Sequence, residues 1–234
     1  MFDGVIGESI VKRAQDKNII KINIHDIRDF TTDKHRMVDD YPFGGGVGMV
    51  MKVDPVHAAL EHIFSISSEK PYICLMCPRG KVFDQLLAKE ISNKDHVVLI
   101  AGHYEGYDER IRSLCDQEIS LGDFILTGGE IPALAVLDAV TRLLPGSLGD
   151  EMSAVEESFS EHLLEYPHYT RPREFLGQEV PEVLLSGHHG QIKRWRRKQS
   201  LLITMNLRPD LLKKHHPTDE DEKILAEIRN NKEV

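Results

Sequence analysis

Residues 96–130 read HVVLIAGHYEGYDERIRSLCDQEISLGDFILTGGE. The run His96–Ala101 is apolar and rich in β-branched residues, and it breaks on Gly102; the shorter run Glu118–Leu121 breaks on Gly122. Short apolar runs bounded by glycine predict strands buried on both faces. Ile131–Leu144 then repeats apolar residues at helical spacing and is closed by Pro145-Gly146, which predicts a long helix. Upstream, Pro71–Met76 reads as another strand, cut by Cys77-Pro78-Arg79-Gly80, and a helix is expected from Phe83 to Ser92. Strands alternating with helices predict an α/β fold on a mostly parallel sheet. Ligands of such sheets bind beyond the carboxyl ends of the strands. Three glycine-bearing loops stand at those ends, 77–80, 102–106 and 122–129. Glycine there lets a ligand approach the backbone closely.

Nearer the N-terminus, Gly4–Asn18 carries Val5, Ile6, Ile10, Val11 and Ala14 at helical spacing, and Ile20, Ile22, Ile24 and Ile27 read as a strand. Periodicity is lost from Arg28 to Lys52, a polar segment that ends in YPFGGGVGM, residues 41–49. A connection of that length predicts a functional loop. Asp54-Pro55 reads as an N-cap with proline at the first helical position. Gly146–Tyr169 reads as a linker, and the remainder is helical in pattern. From Gln191 to His216 there are eight basic residues against one acid, Asp210, in a chain whose net charge is −9. Thr218 is expected to cap a last helix.

The acidic whole excludes a generally basic nucleic-acid coat, so any such contact must be local. Three cysteines argue against a disulfide framework and for a reducing compartment, the cytoplasm. No run reaches the length needed to span a bilayer, so no membrane partner is expected. Gly44-Gly45-Gly46-Val47-Gly48 fits neither the Walker nor the dinucleotide spacing. A surface loop and a backbone-rich substrate contact both remain open for it. Cys74 and Cys77 stand three apart in a predicted strand, which points them to opposite faces and argues against a redox pair. Lys193-Arg194-Trp195-Arg196-Arg197-Lys198 is either a solvated helix face or a phosphate-binding stretch. Trp195 reads better as core than as a stacking platform. The histidines form no metal signature.

Five ordered motifs carry a resemblance: VDDYPFGGGVGM (38–49), GHYEGYDERI (102–111), ISLGDFILTGGE (119–130), LLEYPHYTRP (163–172) and VPEVLLSGHH (180–189). Together they resemble the bacterial tRNA (guanine-N1)-methyltransferase family, TrmD, over essentially the whole chain. The resemblance implies a SPOUT-type parallel sheet with a deep trefoil knot at about 75–132, within a methyltransferase domain 1–147. It implies a linker at 148–160 and a small helical tRNA-binding domain at 161–234. It also implies a homodimer with active sites at the interface, S-adenosylmethionine as methyl donor, magnesium as assisting ion, and N1 of guanosine 37 in the anticodon branch of tRNA as acceptor. Family members begin with a strand ahead of the Met1-Phe2 found here, so a start placed too late or a trimmed chain is expected, with one strand edge left open. Another knotted RNA methyltransferase and a non-catalytic RNA-binding homologue are the competing readings.

Carried over residue by residue, the donor site comprises Leu75, Met76, Cys77, Pro78 and Arg79, then Gly102, Tyr104 and Glu105, then Leu121, Gly122, Phe124, Leu126, Gly128, Gly129 and Pro132. Arg142 matches the family's catalytic arginine, and Glu105 is added to the catalytic set. Glu157 stands where the family has aspartate, with Glu156 as the alternative base. Lys193, Arg194, Arg196 and Arg197 are the tRNA contacts implied. A carboxylate suits the chemistry because guanine N1 must lose a proton before it attacks. A guanidinium suits it because negative charge then builds on O6.

Overall fold

The computed structural model describes residues 1–148, 158–159 and 161–230. The chain divides into two compact units, Met1–Gly149 and Asp150–Val234.

Unit one is α/β, as the alternation predicts. Strand β3 (Tyr72–Val82) is central, flanked by β4 (Val97–Ile100) and β5 (Gln117–Ser120), and both pairings are parallel. A central parallel strand is covered on both faces, so its alternate side chains enter different cores. Ile73, Leu75 and Cys77 pack with Val56 and Leu60 of α3 (Val53–Ile66) and with Ile111. Cys74 and Met76 pack with Leu87 and Ile91 of α4 (Gln85–Ser92) and with Ala133 and Val136 of α5 (Glu130–Leu143). Cys74 and Cys77 therefore sit in separate apolar clusters, and all three cysteines are free thiols. Burial pushes the Cys74 thiol up to about 12.

Four local expectations are corrected. The strand expected to end at Met76 runs on to Val82, because the register slips between Met76 and Lys81 and both residues pair with Ile119. Gly80 makes that slip possible: a Cβ there would lie 2.7 Å from the Glu118 carbonyl oxygen and would overlap its carbon. The single helix expected over 4–18 is two, α1 (Asp3–Ile6) and α2 (Ser9–Asp16), broken where Glu8 turns extended. The Gln15 side chain reaches back 2.7 Å to the Ile6 carbonyl left over at the break. The isoleucines at 20, 22 and 24 lie outside any ladder, and Ile27 opens a 3₁₀ turn, Ile27–Phe30, capped by Asp26. β-Branched residues favour a strand but do not supply the neighbour it must pair with. Asp54 is not an N-cap; Lys52 is, and Pro55 falls in the first turn, where its missing N–H costs nothing. The long polar loop also carries structure of its own, the antiparallel pair β1 (Asp39–Asp40) and β2 (Val50–Met51).

Unit two is helical with one small hairpin. Helix α6 (Glu182–Leu185) precedes α7 (His189–Leu207), α8 (Pro209–Leu212) and α9 (Asp219–Asn230). β6 (Glu174–Phe175) and β7 (Gln178–Glu179) turn through Leu176 and Gly177, both at positive φ. That geometry matches the twist of a two-residue hairpin. Leu163, Leu201, Ile224, Leu225 and Ile228 form the core. Thr218 and Asp221 cap the start of α9 reciprocally, each side chain accepting the other's backbone N–H, at 3.2 and 2.9 Å.

Candidate active site

β4 and β5 end at the glycine loops 102–106 and 122–129, and the register slip at 77–80, inside β3, lies beside them. Tyr107 fastens two of these three segments. Its hydroxyl accepts the Gly102 N–H at 2.8 Å and donates to the Met76 carbonyl at 3.0 Å, joining the end of β4 to the end of the core of β3. Gly102 must be glycine for this: a Cβ there would lie 2.6 Å from the Tyr107 oxygen. Burial pushes the phenol's ionisation well up, so the bridge stays protonated.

The third loop joins through Gly129, whose N–H reaches the Gly102 carbonyl at 2.7 Å. A Cβ on Gly129 would lie 2.8 Å from the Ala101 Cα and from the Gly102 nitrogen. Gly129 is also the N-cap of α5, so the free N–H groups of that helix open beside the loops. At Gly128 a Cβ would strike the His103 ring and Glu130, and those two side chains pair at 3.1 Å.

The glycine-rich segment closes against the same place. Glu105 N–H donates to Met49 O at 3.0 Å, Met51 N–H to Gly106 O at 2.9 Å, and Asp108 N–H to Met51 O at 2.9 Å. Gly48, at φ +82, passes so near Glu105 that a Cβ would lie 2.9 Å from the carboxylate. Arg28 donates to the Tyr104 hydroxyl at 3.0 Å.

On the β3 side charges are paired. Arg79 meets Glu109 at 2.6 Å, and Arg112 meets Glu118 at 2.5 Å, Glu109 at 3.3 Å and the Cys77 sulfur at 3.1 Å. The Arg79 hydrogen bond holds the Glu109 carboxyl below its ordinary range. The Arg110 side chain and backbone hold Asp108 at about 2.

The sequence-predicted residues fall into distinct places. Leu75, Met76 and Cys77 have buried side chains and offer only backbone to a ligand. Pro78, Arg79, Tyr104, Glu105, Phe124 and Leu126 are exposed, with Leu121, Gly122, Gly128 and Pro132 half-buried. Arg142 is half-buried in the last turn of α5, thirteen residues from Gly129. At 1.5 Å per residue that is about 20 Å along the helix from Gly129 and the glycine loops of its own chain. Glu156 and Glu157 lie outside the described residues.

In unit two, Lys193, Arg194 and Arg196 are exposed and Arg197 is half-buried. Arg194 is paired with Glu227. Arg197 is held by Asp221 at 2.6 Å and by Glu161 at 2.9 Å, and Arg196 lies 4.8 Å over the Tyr166 ring. Trp195 is half-buried beside Tyr169, so it is neither core nor open platform.

Sequence reasoning gave no role to Tyr107, Arg28 or the His103–Glu130 pair. The glycines that Tyr107 and the His103–Glu130 pair pass were visible; their partners in the fold were not.

Residues 1–214 match the family model described as tRNA (Guanine-1)-methyltransferase TrmD. The chain is 56% identical over 230 residues to a tRNA (guanine-N(1)-)-methyltransferase of Staphylococcus carnosus, covering 98% of this chain and 93% of that protein. It is 59% identical over 226 residues to that of Carboxydothermus hydrogenoformans (96% and 88% covered). With that of Dictyoglomus turgidum it shares 53% over 229 residues (98% and 92% covered).

Proposed function

The chain belongs to the tRNA (guanine-1)-methyltransferase family and is a tRNA (guanine-N1)-methyltransferase; from that premise we propose that it methylates N1 of guanosine 37, beside the anticodon, with S-adenosylmethionine as donor. The observation that carries this reading is the fastening of the glycine loops that follow β4 and β5 to each other and to β3 where its register slips. Half-buried Gly128 leaves bare backbone within reach of an adenosine, while the polar groups of buried Gly102 and Gly129 are spent on fastening the loops. Tyr104, Phe124 and Leu126 are exposed side chains fit to wall its rings. S-adenosylmethionine would supply a methyl group already activated on a positively charged sulfonium.

The chain's own residues then have three tasks. Glu157, or its neighbour Glu156, takes the N1 proton, a step worth about 10²–10⁴-fold. Arg142 stabilises the negative charge that builds on O6 as the proton leaves. The loop backbone holds N1 in line with the methyl group, which requires the base to be turned out of its stack. Lys193, Arg194, Arg196 and Arg197 line a helix suited to grip phosphates of the anticodon branch.

The distance between Arg142 and the crevice supports a homodimer in which one copy's arginine serves the other's donor pocket. Exposed Phe124 (54%), Ile125 (80%) and Ile131 (48%) beside the crevice give a second copy apolar surface to cover. The knotted path of the SPOUT fold belongs to the same reading. Among the described residues no group of three or more His, Cys, Asp or Glu side chains converges. The O6 charge falls to Arg142, with magnesium kept as the assisting ion that the family resemblance implies. No helix among the described residues is long and apolar enough to cross a membrane, and three free thiols suit a reducing cytoplasm.

The test is methyl transfer from labelled S-adenosylmethionine to unmodified tRNA transcripts that carry guanosine or adenosine at position 37. Label on N1 of guanosine 37 alone is the expected result. Label on ribose, or equal label on both transcripts, overturns the reading. Glu157→Gln and Glu156→Gln then assign the base, since only the acting carboxylate's loss collapses turnover.

A further inference from the structure

Two consecutive residues of the Gly102–Gly106 loop are fastened to opposite ends of one polar segment. Tyr104 is held through its hydroxyl by the Arg28 guanidinium at 3.0 Å, and Glu105 through its N–H by the Met49 carbonyl at 3.0 Å. Tyr104 is not a glycine, yet it stands at φ +70. Such a conformation persists only where the surroundings over-determine it. Arg28 is itself a built anchor. Its backbone N–H is capped by Asp26 at 2.9 Å, its second guanidinium nitrogen donates to Arg36 O at 3.1 Å, and its own carbonyl accepts from Thr31 at 2.9 Å and Arg36 at 3.3 Å. A fork held on one tine at a backbone carbonyl can aim the other at a phenol, which a flexible ammonium cannot do. Both partners are exposed, so the bond adds little to stability. Its consequence is geometric: it fixes the direction of the Tyr104 ring in the loop that follows β4.

We propose that Arg28 is a positioning residue for the donor pocket, acting through the Tyr104 hydroxyl to hold that ring as a wall of the crevice. The inference rests on the donor reading given above and goes beyond it, because Arg28 lies outside every loop assigned to the donor.

The experiment uses the full chain and four variants, Arg28→Ala, Arg28→Lys, Tyr104→Phe and the double Arg28→Ala/Tyr104→Phe. S-adenosylmethionine affinity is measured by calorimetry, and KM and kcat for donor and tRNA by methyl transfer. Arg28→Ala and Tyr104→Phe should each raise the donor Kd and KM about three- to tenfold, the size of one ordinary intramolecular hydrogen bond, since both partners are exposed. The tRNA KM should change by less than about twofold, as expected for uniform weakening of donor binding. The double variant should be no worse than either single, since both remove one bond. Arg28→Lys should not rescue. Tyr104→Phe keeps ring and backbone, so it remains informative if Arg28→Ala unfolds. Wild-type donor affinity in Tyr104→Phe, or additive effects in the double variant, overturns the inference. Absence of donor binding by the wild-type chain would instead overturn the donor reading itself.

Discussion

Replacing Tyr107 with phenylalanine removes a single oxygen from the point where two strand ends meet. The ring, packed against the cluster of Met51, Leu75 and Ile111, stays in place. What disappears is the acceptor for the Gly102 N–H at 2.8 Å and the donor to Met76 O at 3.0 Å. Gly102 is buried, so its amide is left without that partner and out of reach of water. A buried donor left unsatisfied costs about 1–3 kcal/mol, partly offset because a phenol no longer has to be desolvated, so a net destabilisation of about 2 kcal/mol is expected. For a unit of this size that lowers Tm by about 4–8 °C. Thermal and urea unfolding of the full chain, followed by circular dichroism, would measure it. The pH dependence supplies an independent check. Burial raises the native phenol above its ordinary 10.0. Above pH 10 the unfolded state therefore loses its proton while the native state keeps it, and wild-type stability declines. Tyr107→Phe has no such decline from this site, so the two curves should converge as pH rises past 10. A variant within about 0.5 kcal/mol of wild type at pH 7, the spread of neutral surface changes, would show that the hydroxyl bridge contributes nothing.

Gly80→Ala should cost more than about 3 kcal/mol or prevent folding, because its Cβ meets backbone of Glu118 and Ile119 rather than a movable side chain; soluble yield and urea midpoints would read this. Asp221→Asn should destabilise unit two by about 2 kcal/mol, since it removes the negative charge that Arg197 engages at 2.6 and 2.9 Å. Burial alone would raise the Asp221 carboxyl, but the bonds from Arg197 and Thr218 outweigh it and hold it well below 3.8. The stability it supplies is thus present above about pH 4 and lost as pH falls further, a slope that Asp221→Asn should remove from acid-unfolding curves. Lys193→Ala and Arg196→Ala should each weaken tRNA binding and flatten its salt dependence by about one unit of log–log slope for each phosphate no longer neutralised. Filter binding across a salt series would measure it, and unchanged slopes would return that face to simple solvation.

The sheet was legible in the sequence because its physics is local. All four residues of β4 are apolar, β5 is a short run around Ile119, and glycine follows each within two residues. Elements that depend on a distant neighbour were not legible. Ile20, Ile22 and Ile24 have strand chemistry but no ladder, whereas Lys81 and Val82 follow a proline and a glycine and are held in a strand by Ile119 and Ser120. The site divides in the same way. Gly102 and Gly129 were conspicuous as residues, but the reason each must be glycine is an atom elsewhere in the fold: the Tyr107 ring for one, the backbone of Ala101 and Gly102 for the other. Arg28 meets Tyr104 across 76 positions of chain, and nothing in a polar segment without periodicity marks one arginine as an anchor.

Charge shows the same limit more sharply. The window from Gln191 to His216 holds eight bases and one acid, and on that count it is a strong phosphate site. Folding changes the count by bringing in acids from outside the window. Glu227 pairs with Arg194 and lies 3.8 Å from Lys198, while Asp221 and Glu161 hold Arg197. The one acid inside the window, Asp210, is taken up by Arg208 at 2.7 Å. Half of the eight bases thus have carboxylate partners. A phosphate that engaged Arg197 would have to displace Asp221, whose side chain is only 1% exposed, and leave that carboxylate buried and unpaired. Arg194 and Lys198 can exchange their exposed partner for a phosphate at smaller cost, because an exposed ion pair contributes little. The counterion-release gain therefore falls first to Lys193 and Arg196, then to Arg194 and Lys198, and least to Arg197, an order that a linear count of charge cannot give.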